Sequence, residues 1–140
     1  MPGSSGLSHV AMSVPVGALT DEYRTLLLDF FGGLLGWHEI ESLRLPDRLT
    51  VAIGSSSYIN LRERPESTTF HDYEHFGVLV SSAEAFQQVW TDLASGQLDV
   101  QLEPLTTNED GEGSFRFRYL LPMAVEVQYF ERLLGRRSRQ

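Results

Sequence analysis

Cysteine is missing from the 140 residues, which removes disulfides, thiolate nucleophiles and cysteine-rich zinc sites together. Any metal site must therefore be built from histidine and carboxylate. Lysine is missing too. All eleven basic side chains are arginines, so neither a Schiff base nor a lysine general base can operate. No apolar run approaches the roughly 20 residues that cross a bilayer, which predicts no membrane partner. The opening Met-Pro-Gly-Ser-Ser-Gly has no positive charge and no apolar stretch behind it, so no secretory signal is expected and the expected location is cytoplasmic. A net charge of −8 disfavours nucleic acid, whose phosphates need a positive face.

What is present describes a globular chain. Apolar residues make up 41% and charged residues 21%, with no low-complexity run, a balance that supports a packed core. The length suits one domain. Residues 131–140 hold four arginines and one glutamate, and the segment 132–140 reads as a solvated basic tail.

The order of elements repeats. A strand-like segment at 7–14 precedes an apolar-periodic stretch from Thr20 to Leu35 that opens on Thr20-Asp21-Glu22 and ends at glycines 32, 33 and 36. Strand-like segments follow at about 37–45, 48–53 and 57–63, and the polar stretch from Glu63 to Asp72 reads as a linker. Then come a strand at 74–80, a helix from about Ser82 to Ala94, and strands near 98–105, 114–121 and 123–130. Two βαβββ modules emerge, one at about 7–63 and one at about 74–131. Within them His9 and Asn60 are 51 positions apart, as are His75 and Glu126. Three of these four matched positions carry groups that bind divalent metals, so two modules could share one site.

Alternation along each strand sorts the faces. Val10, Met12 and Val14 oppose His9, Ala11 and Ser13; Ile59 and Leu61 oppose Tyr58, Asn60 and Arg62. Phe76, Val78 and Val80 oppose His75, Gly77 and Leu79; Val125, Val127 and Tyr129 oppose Ala124, Glu126 and Gln128. The bulky faces are expected to pack on the two helices, leaving the polar and small faces to line a cavity. Ser114, Arg116 and Arg118 likewise oppose Phe115, Phe117 and Tyr119. His38 and His71 have no counterpart in the other module and read as structural or solvent-exposed.

Tandem βαβββ modules with His on the first strand of each, Glu on the last strand and the run Phe-Phe-Gly-Gly-Leu-Leu-Gly-Trp at 30–37 resemble the vicinal oxygen chelate superfamily. That superfamily includes glyoxalase I, fosfomycin-resistance proteins, extradiol dioxygenases and bleomycin-binding proteins, and the resemblance spans about residues 7–131. It implies an α+β fold in which the modules form a curved mixed β-sheet cleft with the helices outside. It implies His9, His75 and Glu126 as ligands of a divalent metal, Fe2+, Mn2+, Zn2+ or Ni2+, with isomerase, lyase or dioxygenase chemistry on a small organic substrate. Two histidines and one carboxylate match the facial arrangement of non-haem iron and manganese enzymes.

The chain departs from its relatives in several places. Asn60 stands where glyoxalase I has a glutamate, and with Glu126 implied on the metal, metal-bound hydroxide or Tyr58 is left as the candidate base. By the family's strand phase Ser114 and Arg116 face the cavity, where with Arg62 they could bind a carboxylate or phosphate of an anionic substrate. Ser114 falls where the fosfomycin-resistance proteins have a phosphonate-binding serine, but Thr106 and Arg116 replace their lysine and tyrosine, which argues against fosfomycin itself. Leu120-Leu-Pro-Met123 replaces a common Asp-Pro-Asp-Gly turn. A metal-free drug- or metabolite-binding protein of the same fold, and a catalytically silent interaction domain, are the alternatives. Apolar residues around the first helix exceed what one face needs, which predicts a homodimer.

Overall fold

The computed structural model describes residues 6–67, 69–96 and 98–135, so Arg136–Gln140 of the basic tail lie outside the described residues. Two compact units meet at Thr69 and Phe70. The first runs β1 (His9–Pro15), α1 (Asp21–Leu35), β2 (His38–Glu39), β3 (Arg48–Ala52) and β4 (Tyr58–Arg64). The second runs β5 (His75–Leu79), α2 (Ala83–Ser95), β6 (Gln101–Leu102), β7 (Gly113–Arg118) and β8 (Ala124–Tyr129). The fold is α+β, and each unit carries one four-stranded mixed sheet, ordered β1-β4-β3-β2 in the first and β5-β8-β7-β6 in the second.

Both helices start where the sequence places them. Thr20 caps α1 by accepting the Tyr23 N–H at 3.1 Å, and Ser82 caps α2 by accepting that of Ala85 at 3.0 Å. Gly36 ends α1 in the left-handed region, φ 74°, where its N–H reaches the Gly32 carbonyl at 3.1 Å. Spacings of three and four residues align the inner stripes. Leu27 and Phe31 of α1 are fully buried, as is Phe86 of α2, with Val89 and Leu93 nearly so.

The strand faces behave as alternation requires. In the first unit Met12, Val14, Leu49, Val51, Ile59 and Leu61 are buried, and Trp37 stacks on Phe31 at 4.5 Å. In the second, Phe76, Val78, Phe115, Phe117, Val125 and Val127 are buried, with Phe86 of α2 against Phe115 at 5.3 Å. His9, Ala11, Gly77 and Leu79 of the opposite faces are exposed.

Two strands are much shorter than the apolar pattern predicts. β2 holds two residues and gives way to a 3-10 turn at Glu41–Leu43. Arginine side chains take the carbonyls that a longer β2 would need. Arg24 of α1, only 5% exposed, donates to the carbonyls of Leu19, Leu45, Pro46 and Arg48 at 2.8–3.2 Å, and Arg48 donates to that of Leu43. β6 is cut short in the same sense. Glu103 offers its carbonyl to the Trp90 indole at 3.0 Å, and Pro104 behind it has no N–H for a ladder.

The loop before β7 closes on itself. Asn108 Oδ1 accepts the N–H groups of Asp110 and Glu112, both at 2.9 Å. Gly113 must be glycine, because a Cβ there would lie 2.5 Å from the Thr106 carbonyl oxygen. Leu120 has φ 63°, an uncommon value for a branched side chain, at the centre of a three-residue turn closed by Leu121 N–H on the Tyr119 carbonyl at 2.7 Å.

Arg24→Leu should destabilise the protein by about 3 kcal/mol, because four carbonyls lose one charged donor. Arg24→Lys should recover little, since a point charge cannot span a fork of acceptors. Urea denaturation of the two variants checks both. A second expectation concerns Glu112, whose carboxyl accepts the Glu131 N–H at 2.9 Å and the Asn108 amide at 3.2 Å. These bonds hold it below the usual carboxylate range. A lowered value means the clamp is complete above about pH 4.3 and is lost as pH falls through the folded value. Hydrogen exchange at the Glu131 amide should therefore accelerate on acidification, relative to neighbouring amides, and Glu112→Gln should flatten that response.

Candidate functional site

Register places the polar faces row by row. In the first unit β1 and β4 are parallel and pair His9 with Tyr58, Ala11 with Asn60 and Ser13 with Arg62. β3 extends these rows with Ala52, Thr50 and Arg48, and His38 of β2 lies opposite Ala52. In the second unit β5 and β8 are also parallel, pairing His75 with Ala124 and Gly77 with Glu126. β7 adds Arg116 opposite Glu126 and Ser114 opposite Gln128, while β6 sets Gln101 opposite Arg118. A constant offset of 66 residues relates β1, β3 and β4 to β5, β7 and β8. Thus Tyr58 corresponds to Ala124, Asn60 to Glu126, Thr50 to Arg116 and Ala52 to Arg118.

The second unit brings two of the expected ligands together. His75 Nε2 lies 3.1 Å from Glu126 Oε2, with the side chains 22% and 19% exposed. Behind the ring, His75 Nδ1 is 2.5 Å from the Tyr73 carbonyl oxygen, and Gln128 Nε2 donates to the same Glu126 oxygen at 3.2 Å. A carbonyl only accepts, so Nδ1 must carry a hydrogen, and the neutral ring then turns a lone pair toward a carboxylate. Two facing acceptors need a proton or a cation between them. Both the distance and the backbone-oriented ring suit a shared divalent ion, since ligands with bonds of about 2.1 Å sit roughly 3 Å apart when adjacent. Among the described residues, no group of three or more histidine or acidic side chains gathers closely enough to hold an ion.

The first unit arranges its matched residues differently. His9 is exposed, stacks on Tyr58 at 4.8 Å with the rings 7° from parallel, and has Nδ1 2.7 Å from Ser8 Oγ. Asn60 Oδ1 accepts from the buried Thr50 hydroxyl at 3.1 Å. That bond commits the oxygen and leaves the amide N–H groups as donors. Arg62 lies 3.8 Å from Asp47, with both side chains well exposed.

Arg116 and Arg118 share the polar face of β7 but differ in what holds them. Arg116 Nε is 2.7 Å from Glu103 Oε1, and its guanidinium lies 5.4 Å over the Tyr73 ring. Ser114 is half-buried two residues away. Arg118 Nη2 donates to the His71 carbonyl at 3.2 Å and lies 3.8 Å from Asp72. Sequence reasoning overlooked Tyr73, Glu103, Gln128 and Arg118 as parts of the site. Gln128 and Tyr73 were within reach of it, each two positions from a chosen ligand. Glu103 was not, because its approach depends on how β6 ends.

The sequence matches no known family profile and no curated protein. Solved structures do resemble it. Fosfomycin resistance protein FosX from Listeria monocytogenes is 22% identical with a TM-score of 0.64, over 96% of this chain and 100% of that one. FosX from Mesorhizobium loti is 19% identical with a TM-score of 0.64, over 94% and 99%. A glyoxalase family protein from Bacillus anthracis is 17% identical with a TM-score of 0.61, over 92% and 98%. At such identities the likeness is one of fold, and the chain has the fold of the vicinal oxygen chelate superfamily.

Proposed function

We propose that this chain is a small-molecule metalloenzyme of glyoxalase or dioxygenase type. His75 and Glu126 supply two metal ligands from the second module, and His9, at the matching position of the first, supplies the third. The pairing of His75 with Glu126, with the ring oriented by the Tyr73 carbonyl, is the observation that carries this reading. A divalent ion bound there would act as a Lewis acid toward vicinal oxygens of a small organic substrate. Manganese is the first ion to try, because one FosX structure from Listeria monocytogenes holds Mn(II) with 1S,2S-dihydroxypropylphosphonic acid.

The chain's own groups divide the remaining work. Gln128 steadies the Glu126 carboxylate, and Asn60, its oxygen held by Thr50, is placed to donate a hydrogen bond to substrate rather than to accept a proton. Tyr58 stays the candidate base of the first module. Arg62, Ser114 and Arg116 are assigned to an anionic part of the substrate, Arg116 in the orientation that Glu103 imposes. The two modules together form a single glyoxalase-like domain in this reading, working as a homodimer.

A metal-free drug- or metabolite-binding protein of the same fold is the second reading. Asn60 favours it, since a neutral amide hydrogen-bonded to Thr50 is a weak substitute for a charged ligand.

Protein purified without chelators should contain a divalent metal by elemental analysis. In calorimetry with Mn(II), His75→Ala should weaken binding by more than about 100-fold, beyond what loss of an outer-shell partner costs, while its urea midpoint stays near that of the wild type. Asn60→Ala should cost far less, and Asn60→Glu should tighten binding. Equal affinity in wild type and His75→Ala would remove the metal assignment and leave the binding-protein reading ahead. Light scattering should give twice the chain mass, and a monomer at all concentrations would reject the dimer alone.

A further inference from the structure

We infer that the second module contains a small-anion subsite built around Arg118, in a pocket along β6 and β7. The inference names the substrate class for the proposed enzyme. It rests on that reading only in taking the bound anion to be part of a substrate.

The first module shows what stands at the corresponding positions. There the strand partner of the histidine is Tyr58, stacked on His9, and the next residue along the row is Ala52. In the second module the partner of His75 is Ala124, and the position matching Ala52 is Arg118. Loss of the aromatic ring and gain of a cation thus coincide in one module. A pocket of about 240 Å³ lies along β6 and β7, lined in part by Asp72, Gln101, Glu103, Arg116 and Arg118 and reaching the nearly buried Ala124. It is smaller than the roughly 300–1,000 Å³ of pockets for drug-sized ligands, so it suits a compact head group.

Charge within the pocket singles out Arg118. Arg116 already shares its charge with Glu103 at 2.7 Å, so it can only assist. The acid nearest Arg118 is Asp72, 3.8 Å away and fully solvent-exposed, a pairing that water screens heavily. Only Nη2 of Arg118 has partners among the described residues, which leaves Nε and Nη1 free to donate. Guanidinium with free N–H groups beside an open, partly polar pocket recognises a planar carboxylate or a phosphonate.

The test uses the full chain freed of metal with EDTA, so that failure of the metal site and failure of the subsite are read separately. Acetate and inorganic phosphate are titrated in turn while the arginine Nε–H resonances are followed by NMR. A saturable shift of one resonance is expected, and Arg118→Gln should abolish both resonance and binding. Arg64→Gln should leave binding unchanged. The ion that binds more tightly identifies the head group as carboxylate or phosphonate. No saturable shift with either ion in the wild type, or equal affinity in Arg118→Gln, would overturn the proposal.

Discussion

The parallel pairing of the first and last strand in each module is the constraint on which the site depends. A strand has a side-chain period of two, so a slip of one residue would turn every apolar side chain out of the core and every polar one into it. Met12, Ile59, Phe76 and Val125 are each at most 9% exposed, which gives a slip a large penalty in lost burial. With that register held, His75 and Glu126 must lie on one face of neighbouring strands. Gly77, the register partner of Glu126, takes no space there. A Cβ at that position would come within 3.4 Å of Gln128 Oε1, the side chain that steadies the carboxylate.

The same framework carries different chemistry in the two modules. In the first, an aromatic ring covers the histidine and the matched amide is tied to a buried threonine. Corresponding positions of the second hold a small residue, two arginines and a carboxylate. Steric filling and a neutral hydrogen bond thus mark the Tyr58 and Asn60 rows of one polar face, and charged side chains mark the corresponding rows of the other. A repeat that diverges in this way can keep its core while only one half specialises, because helix-side and polar-side residues alternate and can change independently.

Arginine also has a structural task in a chain without lysine. Arg24 collects four carbonyls with one planar group, which gives the chain partners for its acceptors where it leaves the sheet after β2. Glu39, its side chain only 6% exposed, lies 4.0 Å from Arg24 and is also gripped by Arg44. The bonds from Arg24 to Leu45, Pro46 and Arg48 join residues 21–24 positions apart. They explain why a segment with strand-like composition ends in a 3-10 turn.

Local pattern in the sequence determined the two modules, both helix caps and the inward faces of β1, β4, β5, β7 and β8, since these depend on neighbours within a few residues. The positions of His75, Glu126 and Asn60 on polar faces followed from the same alternation. Tertiary structure alone decided the ends of β2 and β6, where carbonyls bond distant arginine and tryptophan side chains instead of a strand. It also decided how the arginines of β7 divide their work: alternation puts Arg116 and Arg118 on one face, but only the path of the chain after β6 brings Glu103 to the first and leaves the second with a screened partner. Strand phase is a local property of the backbone. The charge that a side chain finally meets depends on segments far away in sequence, and no local pattern encodes it.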